Sequence, residues 1–291
     1  MTSASSRHPA RASDPNPDRD LGSAPDRDAE LAFAIELAAR AGALQMERYE
    51  RLEQIDLKSP KDVVTEADHL SEALIFEAIR ERFPEDALLG EESGGHDAKA
   101  GHEATSGVGR AWVVDPLDGT INYANGIPFF CVSIALVEAG RPVVGVVHDP
   151  TRNETFGARV GGRARLNGRE LEPSTKDHLS DFVVSLALGG RAAATRSRAV
   201  RKVIRVSRSM GSAALALAYV ANGRFDAMVQ QGGLSTWDIA AAGLIAEVAG
   251  AVVTDVAGGP WFDLSHGPKT IGLIAAPSRH HAELLRLVNG G

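Results

Sequence analysis

The sequence predicts an α/β chain whose helices and sheets fall into two halves joined between about residues 155 and 180. Three observations predict it. Apolar residues recur at helical spacing in several long stretches. Short apolar runs separated by glycine turns read as strands and hairpins. The pattern resets near Pro173, after which strand and helix alternate again. The 291 residues allow one large domain or two modest ones. The expected division is a tail over 1–28, a first half over 29–170 and a second half over 171–291.

The tail, MTSASSRHPARASDPNPDRDLGSAPDRD, is rich in Ser, Pro, Asp and Arg and reads as disordered. It has no apolar core like that of a signal peptide. AELAFAIELAARAGALQMERYE, from Ala29 to Glu50, is a helix by its spacing. VVTEADHLSEALIFEAIRERF is a second helix opening at Thr65, with Leu70, Leu74, Ile75 and Ile79 on one face. DALLGEES is a short strand ending at Gly90-Glu91-Glu92. Ser93 to Arg110 is polar and glycine-rich, either a mobile flap or a plain surface loop. AWVVD is a strand that stops at Asp115, and FFCVSIALVEAGRPVVGVVHDP is a hairpin turning at Ala139 to Pro142. Further hairpins turn at Gly161-Gly162 and Asn167-Gly168. In the second half DFVVSLAL, FDAMVQQ and GAVVTD are strands. AATRSRAVRKVIRVSRSM is a basic helix, GSAALALAYVANG another, and WDIAAAGLIAEVAG a third, ended by Gly250.

Composition narrows the function. A formal net charge of −7 gives no sign of a general nucleic-acid binder. No apolar run reaches the ~18 residues a membrane span needs. Cys131 is the single cysteine, which excludes an internal disulfide and a cysteine-based metal cluster and suits a reducing cytoplasm. Any metal must therefore be held by oxygen or histidine. His96, His102, His148, His266, His280 and His281 are scattered without a metal-ligand spacing.

The chemistry concentrates in WVVDPLDGTINYANGIPFF. Asp115 follows a strand, and Pro116 favours the second position of a β-turn. A turn would bring Asp115 and Asp118 into one space, where two unpaired carboxylates repel each other and call for a hard divalent cation. Gly119 lets backbone approach a ligand, and Thr120 could open a short helix whose N–H groups hold an anion. The plainer alternative is an Asp-Pro-x-Asp turn followed by a helix cap. Three more acidic stretches have the same two readings. Glu91 and Glu92 end a strand, where a site or a solvated loop is equally natural. Thr65 and Asp68 form a capping-box pattern, and Asp238 in STWDIAAAG stands where it could cap a helix. An aspartyl-phosphate mechanism of the haloacid-dehalogenase kind needs its second aspartate two residues on. Here the spacing is three.

The co-occurrence is more specific than any one signal. DVVTEAD, GEES, DPLDGT with its flanks, GSAAL and WDIAAAG, in that order from about Lys58 to Gly250, resemble the inositol monophosphatase family of Mg-dependent, lithium-sensitive phosphatases. The resemblance implies an α+β or α/β layered αβαβα sandwich, commonly a homodimer. It implies two or three Mg ions, with Mn hard to separate, and a small phosphorylated metabolite as partner. Glu91, Asp115 and the carbonyl of Leu117 would hold the first metal, and Asp115, Asp118 and Asp238 the second. Glu91 would also reach a loosely held third metal through water. Gly119 and Thr120 would bind phosphate, and Thr120 with Asp68 would orient the attacking water. Lys58 matches a lysine near the site, and Gly211, Ser212 and Ala213 a segment touching the organic part of the substrate. One position departs. Where the family's inositol phosphatases carry a glutamate that grips a ring hydroxyl, this chain has Gln231, which keeps hydrogen bonding but not charge. Inositol 1-phosphate is the leading substrate. Histidinol phosphate, fructose bisphosphate, phosphoadenosine phosphate and NADP stand as alternatives. The basic run Arg196, Arg198, Arg201, Lys202, Arg205 and Arg208 is a solvated helix face or a handle for a second phosphate or RNA. A regulatory, transcription-associated protein on the same fold is the reading from another class. It would be free to lose ligand positions that here are all intact.

Overall fold

A computed structural model describes residues 27–51, 55–59, 62–95, 109–189, 193–264 and 270–290, with backbone alone for 55–59, 62–63 and 94–95. The expected disordered tail, but for its last residues, lies outside the described residues, as does most of the glycine-rich loop.

The first helix, α1 (Asp28–Arg48), buries Ala34, Leu37, Ala38, Ala41 and Gln45, one stripe at the 3.6-residue period. A two-stranded antiparallel ribbon follows, β1 (Ile55–Ser59) with β2 (Asp62–Thr65), and leads into α2 (Glu66–Arg82). The expected face of α2 needs one correction. Leu74, Ile75 and Ile79 pack inward, but Leu70 is 38% exposed. Asp68 sets the helix rotation through its contacts with Thr65 and Thr120, and Leu70 lies about 200° around the axis from it. Ala67, Ser71, Ile75 and Phe76 face the core instead.

The larger sheet runs β10-β9-β8-β7-β6-β5-β3-β4. Its strands are β3 (Ala87–Gly90), β4 (Gly94–Gly95), β5 (Arg110–Asp118), β6 (Cys131–Glu138), β7 (Arg141–Asp149), β8 (Glu154–Arg159), β9 (Arg165–Leu166) and β10 (Arg169–Glu170). Only β3 and β5 pair in parallel among its described strands. The hairpin between β6 and β7 turns on two residues, Ala139 and Gly140, both at positive φ, as are Asn167 and Gly168 in the last hairpin. The short helix α3 (Thr120–Ala124) lies between β5 and β6.

The smaller sheet runs β12-β11-β13-β15-β14. Its elements are β11 (Val183–Leu188), α4 (Ala193–Val203), β12 (Val206–Arg208), α5 (Ala213–Ala221), β13 (Ala227–Leu234), α6 (Thr236–Ala249), β14 (Ala251–Asp255), β15 (Ile271–Pro277) and α7 (Ser278–Asn289). The basic helix is shorter than its charge pattern suggests. It stops at Val203, because the N–H groups of Arg205 and Val206 turn to the Phe182 carbonyl and Val206–Arg208 becomes an edge strand beside β11. Arg198, Arg201, Lys202, Arg205 and Arg208 are exposed, as a solvated face requires.

Three hydrophobic clusters stack these elements into five layers. Residues of α1 and α2, among them Leu37 and Ile75, cover one face of the larger sheet through Trp112 and Ile134. Its other face meets α5 and α6, which meet the smaller sheet in turn through Met228, Leu273 and Ala275. Val200 of α4 and Leu284 of α7 cover the far side through Val184 and Val229. This is the αβαβα sandwich. A helix held between two sheets must be apolar all round, and α5 buries eight of its nine residues, from Ala214 to Ala221. Small residues let the layers close. A Cβ on Gly145 of β7 would sit 2.6 Å from the carbonyl oxygen of Ala241 in α6. Gly145→Ala is therefore expected to lower stability by about 1–3 kcal/mol, the usual cost of overpacking. A denaturant midpoint unchanged from wild type would contradict this packing.

Candidate metal-dependent active site

The two carboxylates of the DPLD motif meet through a β-bulge rather than the expected turn. Strand β5 does not stop at Asp115. It continues to Asp118, with Asp115 opposite Ser133 and Asp118 opposite Cys131. Three steps on β5 face two on β6, so one residue is extra. Pro116 has no N–H to give the ladder, which is where a bulge costs least. The extra residue puts Asp115 and Asp118 on the same face, the one turned toward α5 and α6. Asp115 Oδ1 accepts the N–H of Leu117 at 3.1 Å and fixes the bulge from inside.

The middle-layer helices supply the rest. The start of α6 is a capping box in which Asp238 Oδ2 accepts the N–H of Ser235 at 2.7 Å. Asp238 still reaches the cluster, and one oxygen each of Asp115, Asp118 and Asp238 lie within 4.8 Å of one another. The same double use occurs on α2. Asp68 Oδ2 accepts the N–H of Thr65 at 2.8 Å, while Oδ1 lies 2.9 Å from Thr120 Oγ1, which is also 3.0 Å from the Leu117 carbonyl. Capping and site readings of Asp68 and Asp238 are thus compatible, because each carboxylate has two oxygens.

Glu91, Asp115, Leu117, Asp118, Gly119, Thr120, Gly211 and Asp238 line one cleft of 160 Å³. Gly119 stands at φ +100° close against Phe130 and Ser212, a conformation that residues with a side chain rarely adopt and a tight space for a Cβ. Gly211, at φ +82°, abuts the Asn122 carboxamide. Sequence reasoning missed Asn122. Its Nδ2 donates to the carbonyls of Phe129 and Met210, each at 2.7 Å, and so ties α3 to the loop before α5. Nothing in the sequence separates Asn122, which is buried, from the exposed Asn125 three residues on.

Ser212 and Ala213 line a pocket beside the cleft, as Gly211 does, while the Ser212 hydroxyl and the Ala213 N–H are taken up by protein. Asp118 accepts the Ser212 hydroxyl at 2.5 Å and the N–H groups of Ala213 and Ala214 at 3.1 and 2.7 Å. Gln231 Oε1 accepts from Arg196 Nη1 at 2.8 Å. On β13 it is the neighbouring Gln230 that, with Ser185 and Ala187 of β11, lines a 270 Å³ pocket sharing Asp118, Gly211 and Asp238 with the cleft. Gln231 has the opposite parity on the strand. Lys58 sits on β1, with its side chain outside the described residues.

Electrostatics ask for a cation. Burial, reinforced by Glu91, Asp118 and Asp238, holds the Asp115 carboxyl well above the usual carboxylate range. Burial and the charge of Asp118 do the same to Asp238. Asp118 is raised by burial and partly relieved by its donors Ser212, Ala213 and Ala214. Among the described residues no Lys or Arg forms a salt bridge with these three. Four carboxylates with oxygen donors only fit a hard divalent ion. Burial also raises the Cys131 thiol, which leaves it a neutral packing group.

Five alternating layers with an all-oxygen acid cluster at the sheet–helix junction define a sugar-phosphatase-type sandwich. The chain belongs to the inositol monophosphatase family, whose model matches residues 26–290. It is 40% identical over 269 residues to the Nus factor SuhB of Pasteurella multocida, covering 89% of this chain and 95% of that one. Two solved structures share the fold. The extragenic suppressor protein suhB of Bartonella henselae has a TM-score of 0.80 at 33% identity over 90% of this chain and 99% of that one. An IMPase of Thermotoga maritima has 0.78 at 34% identity, over 90% and 97%. No described helix is long and apolar enough to cross a membrane.

Proposed function

We propose that the protein is a Mg-dependent phosphomonoesterase of a small phosphorylated metabolite, inositol 1-phosphate first. The single observation that carries this is the convergence of Asp115, Asp118 and Asp238 in a cleft whose wall is Thr120 hydrogen-bonded to Asp68. Glu91, Asp115 and the Leu117 carbonyl would hold one Mg, and Asp115, Asp118 and Asp238 a second, with a third reached from Glu91. Bound divalent cations lower the pKa of an attacking water and neutralise charge on the leaving oxygen. The chain's own groups do the rest. The Thr120 hydroxyl donates to Asp68, which leaves its lone pairs to accept a hydrogen of the water and turn the water's oxygen toward phosphorus. The N–H groups of Gly119 and Thr120 face the phosphoryl oxygens as negative charge shifts onto them. Water adds in line and gives up a proton to solvent, the phosphorus–oxygen bond to the alcohol breaks, the leaving oxygen takes a proton from solvent to become the alcohol, and no enzyme-bound phosphate forms. Gly211 and the 270 Å³ pocket receive the alcohol. The working form is a cytoplasmic homodimer.

The likeness to proteins named Nus factor favours one second reading, a regulatory role beside transcription on the same fold. Intact acids favour the enzyme. The test is phosphate release with Mg from inositol 1-phosphate, histidinol phosphate, fructose 1,6-bisphosphate, phosphoadenosine phosphate and NADP. Inositol 1-phosphate is expected to lead. Another substrate well ahead of it would correct the substrate, and no release from any of the five would turn the reading toward regulation.

A further inference from the structure

We propose that Glu72 and Gln45, which line neither pocket, are positioning residues that brace the Glu91 turn and the Asp115–Asp118 bulge of the metal site from behind. The inference rests on the metal-site reading above.

Glu72 is an anomaly on α2. It is 5% exposed and lies on the inward face beside Ser71, Ile75 and Phe76. A carboxylate buried against an apolar face costs free energy unless it is hydrogen-bonded. Glu72 Oε2 accepts the N–H of Glu92 at 3.0 Å. A Cβ on Gly90 would overlap the same carboxylate, so Glu72 packs directly on the Gly90 backbone. It therefore holds the chain one residue before and one residue after Glu91, and leaves the Glu91 side chain directed to the cleft.

Gln45 does the matching work on the bulge. It is fully buried at the inner end of α1, and its Nε2 donates to the Pro116 carbonyl at 2.6 Å. Pro116 is in the bulge that brings Asp115 and Asp118 to one face. Tyr123 Oη donates to the Gln45 carbonyl at 2.7 Å and ties α3 to the same point. Ser71 Oγ, next to Glu72, is 3.5 Å from Gln45 Nε2, so the two braces adjoin where α1 and α2 pack together. Residues that orient metal ligands typically change metal affinity by roughly 10- to 100-fold when removed.

The test is Mg binding by titration calorimetry on the full chain, with the metal-free melting temperature measured alongside. Glu72→Ala is expected to weaken Mg binding by roughly 10- to 100-fold. Glu72→Gln keeps an oxygen for the Glu92 N–H and is expected to recover most of that loss. Gln45→Met keeps the length and loses the donor, and is expected to weaken binding in the same direction. If Glu72→Ala does not fold, Gln45→Met decides. Lower melting temperatures with Mg affinity unchanged in the folded variants would overturn the positioning role and leave a structural one. A wild-type chain that takes up no Mg would overturn the metal site itself, a separate failure.

Discussion

Asp118→Asn is expected to reduce phosphate release by at least about a thousandfold, equal to about 4 kcal/mol of barrier, in a protein that still folds. Asp118 lies at the centre of the site. One of its oxygens belongs to the three-carboxylate cluster, and both accept hydrogen bonds from the segment that opens α5. The amide is isosteric, so the layers around it need not move. It removes one negative charge from a set that repels itself, which favours the metal-free fold. It also turns an NH2 toward a donor among Ser212, Ala213 and Ala214, at a cost of about 1–3 kcal/mol for the unmade bond. These effects oppose each other, so the stability change is small beside the loss of activity. The check is phosphate release together with a thermal melt. Full turnover in a folded Asn variant would remove Asp118 from the mechanism.

What the sequence disclosed follows from how far apart the interacting residues are. Asp115, Pro116 and Asp118 are neighbours, so their shared chemistry was legible. The bulge that unites them was not, because it depends on the register against Ser133 and Cys131. The helix patterns disclosed α1, α2, α5 and α6, and α4 with too late an end. The layer order became readable only when α5 and α6 were seen to be apolar on every side between two sheets. The family resemblance located the Gly211–Ala213 segment. It could not show that Ser212 spends its hydroxyl on an aspartate 94 residues away. That Gln231 meets Arg196 was hidden for a similar reason. Adjacent residues on a strand face opposite sides, and only the pairing of β11 with β13 reveals that Gln230 is the one facing the pocket. Leu70 misled because apolarity outvoted the rotation that Asp68 imposes. Gln45 and Glu72 gave no signal, since a polar residue on a helix normally faces water.

Mg is expected to raise the melting temperature, and by more at pH 8 than at pH 5. Asp115, Asp118 and Asp238 all have carboxyls held above their ordinary range, chiefly by burial. In the metal-free protein the native state therefore keeps protons that the unfolded chain has released. Stability is present in full below the unfolded aspartate value of about 4 and falls as pH rises through the higher native values. Mg binding reverses the preference, because a carboxylate must lose its proton to become a ligand. At pH 5 the cation competes with protons already in the cluster, and at pH 8 the competition is weaker. At a hundred times the dissociation constant one ion contributes about 2.7 kcal/mol, or roughly 4–5 °C for a chain of this size. Melting curves at the two pH values, with and without millimolar Mg, decide the matter. A shift equal at both would mean that the ion binds away from these carboxylates. No shift at pH 8 would mean that the cluster's mutual repulsion is relieved by protons alone, and that burial of the three aspartates serves some purpose other than metal.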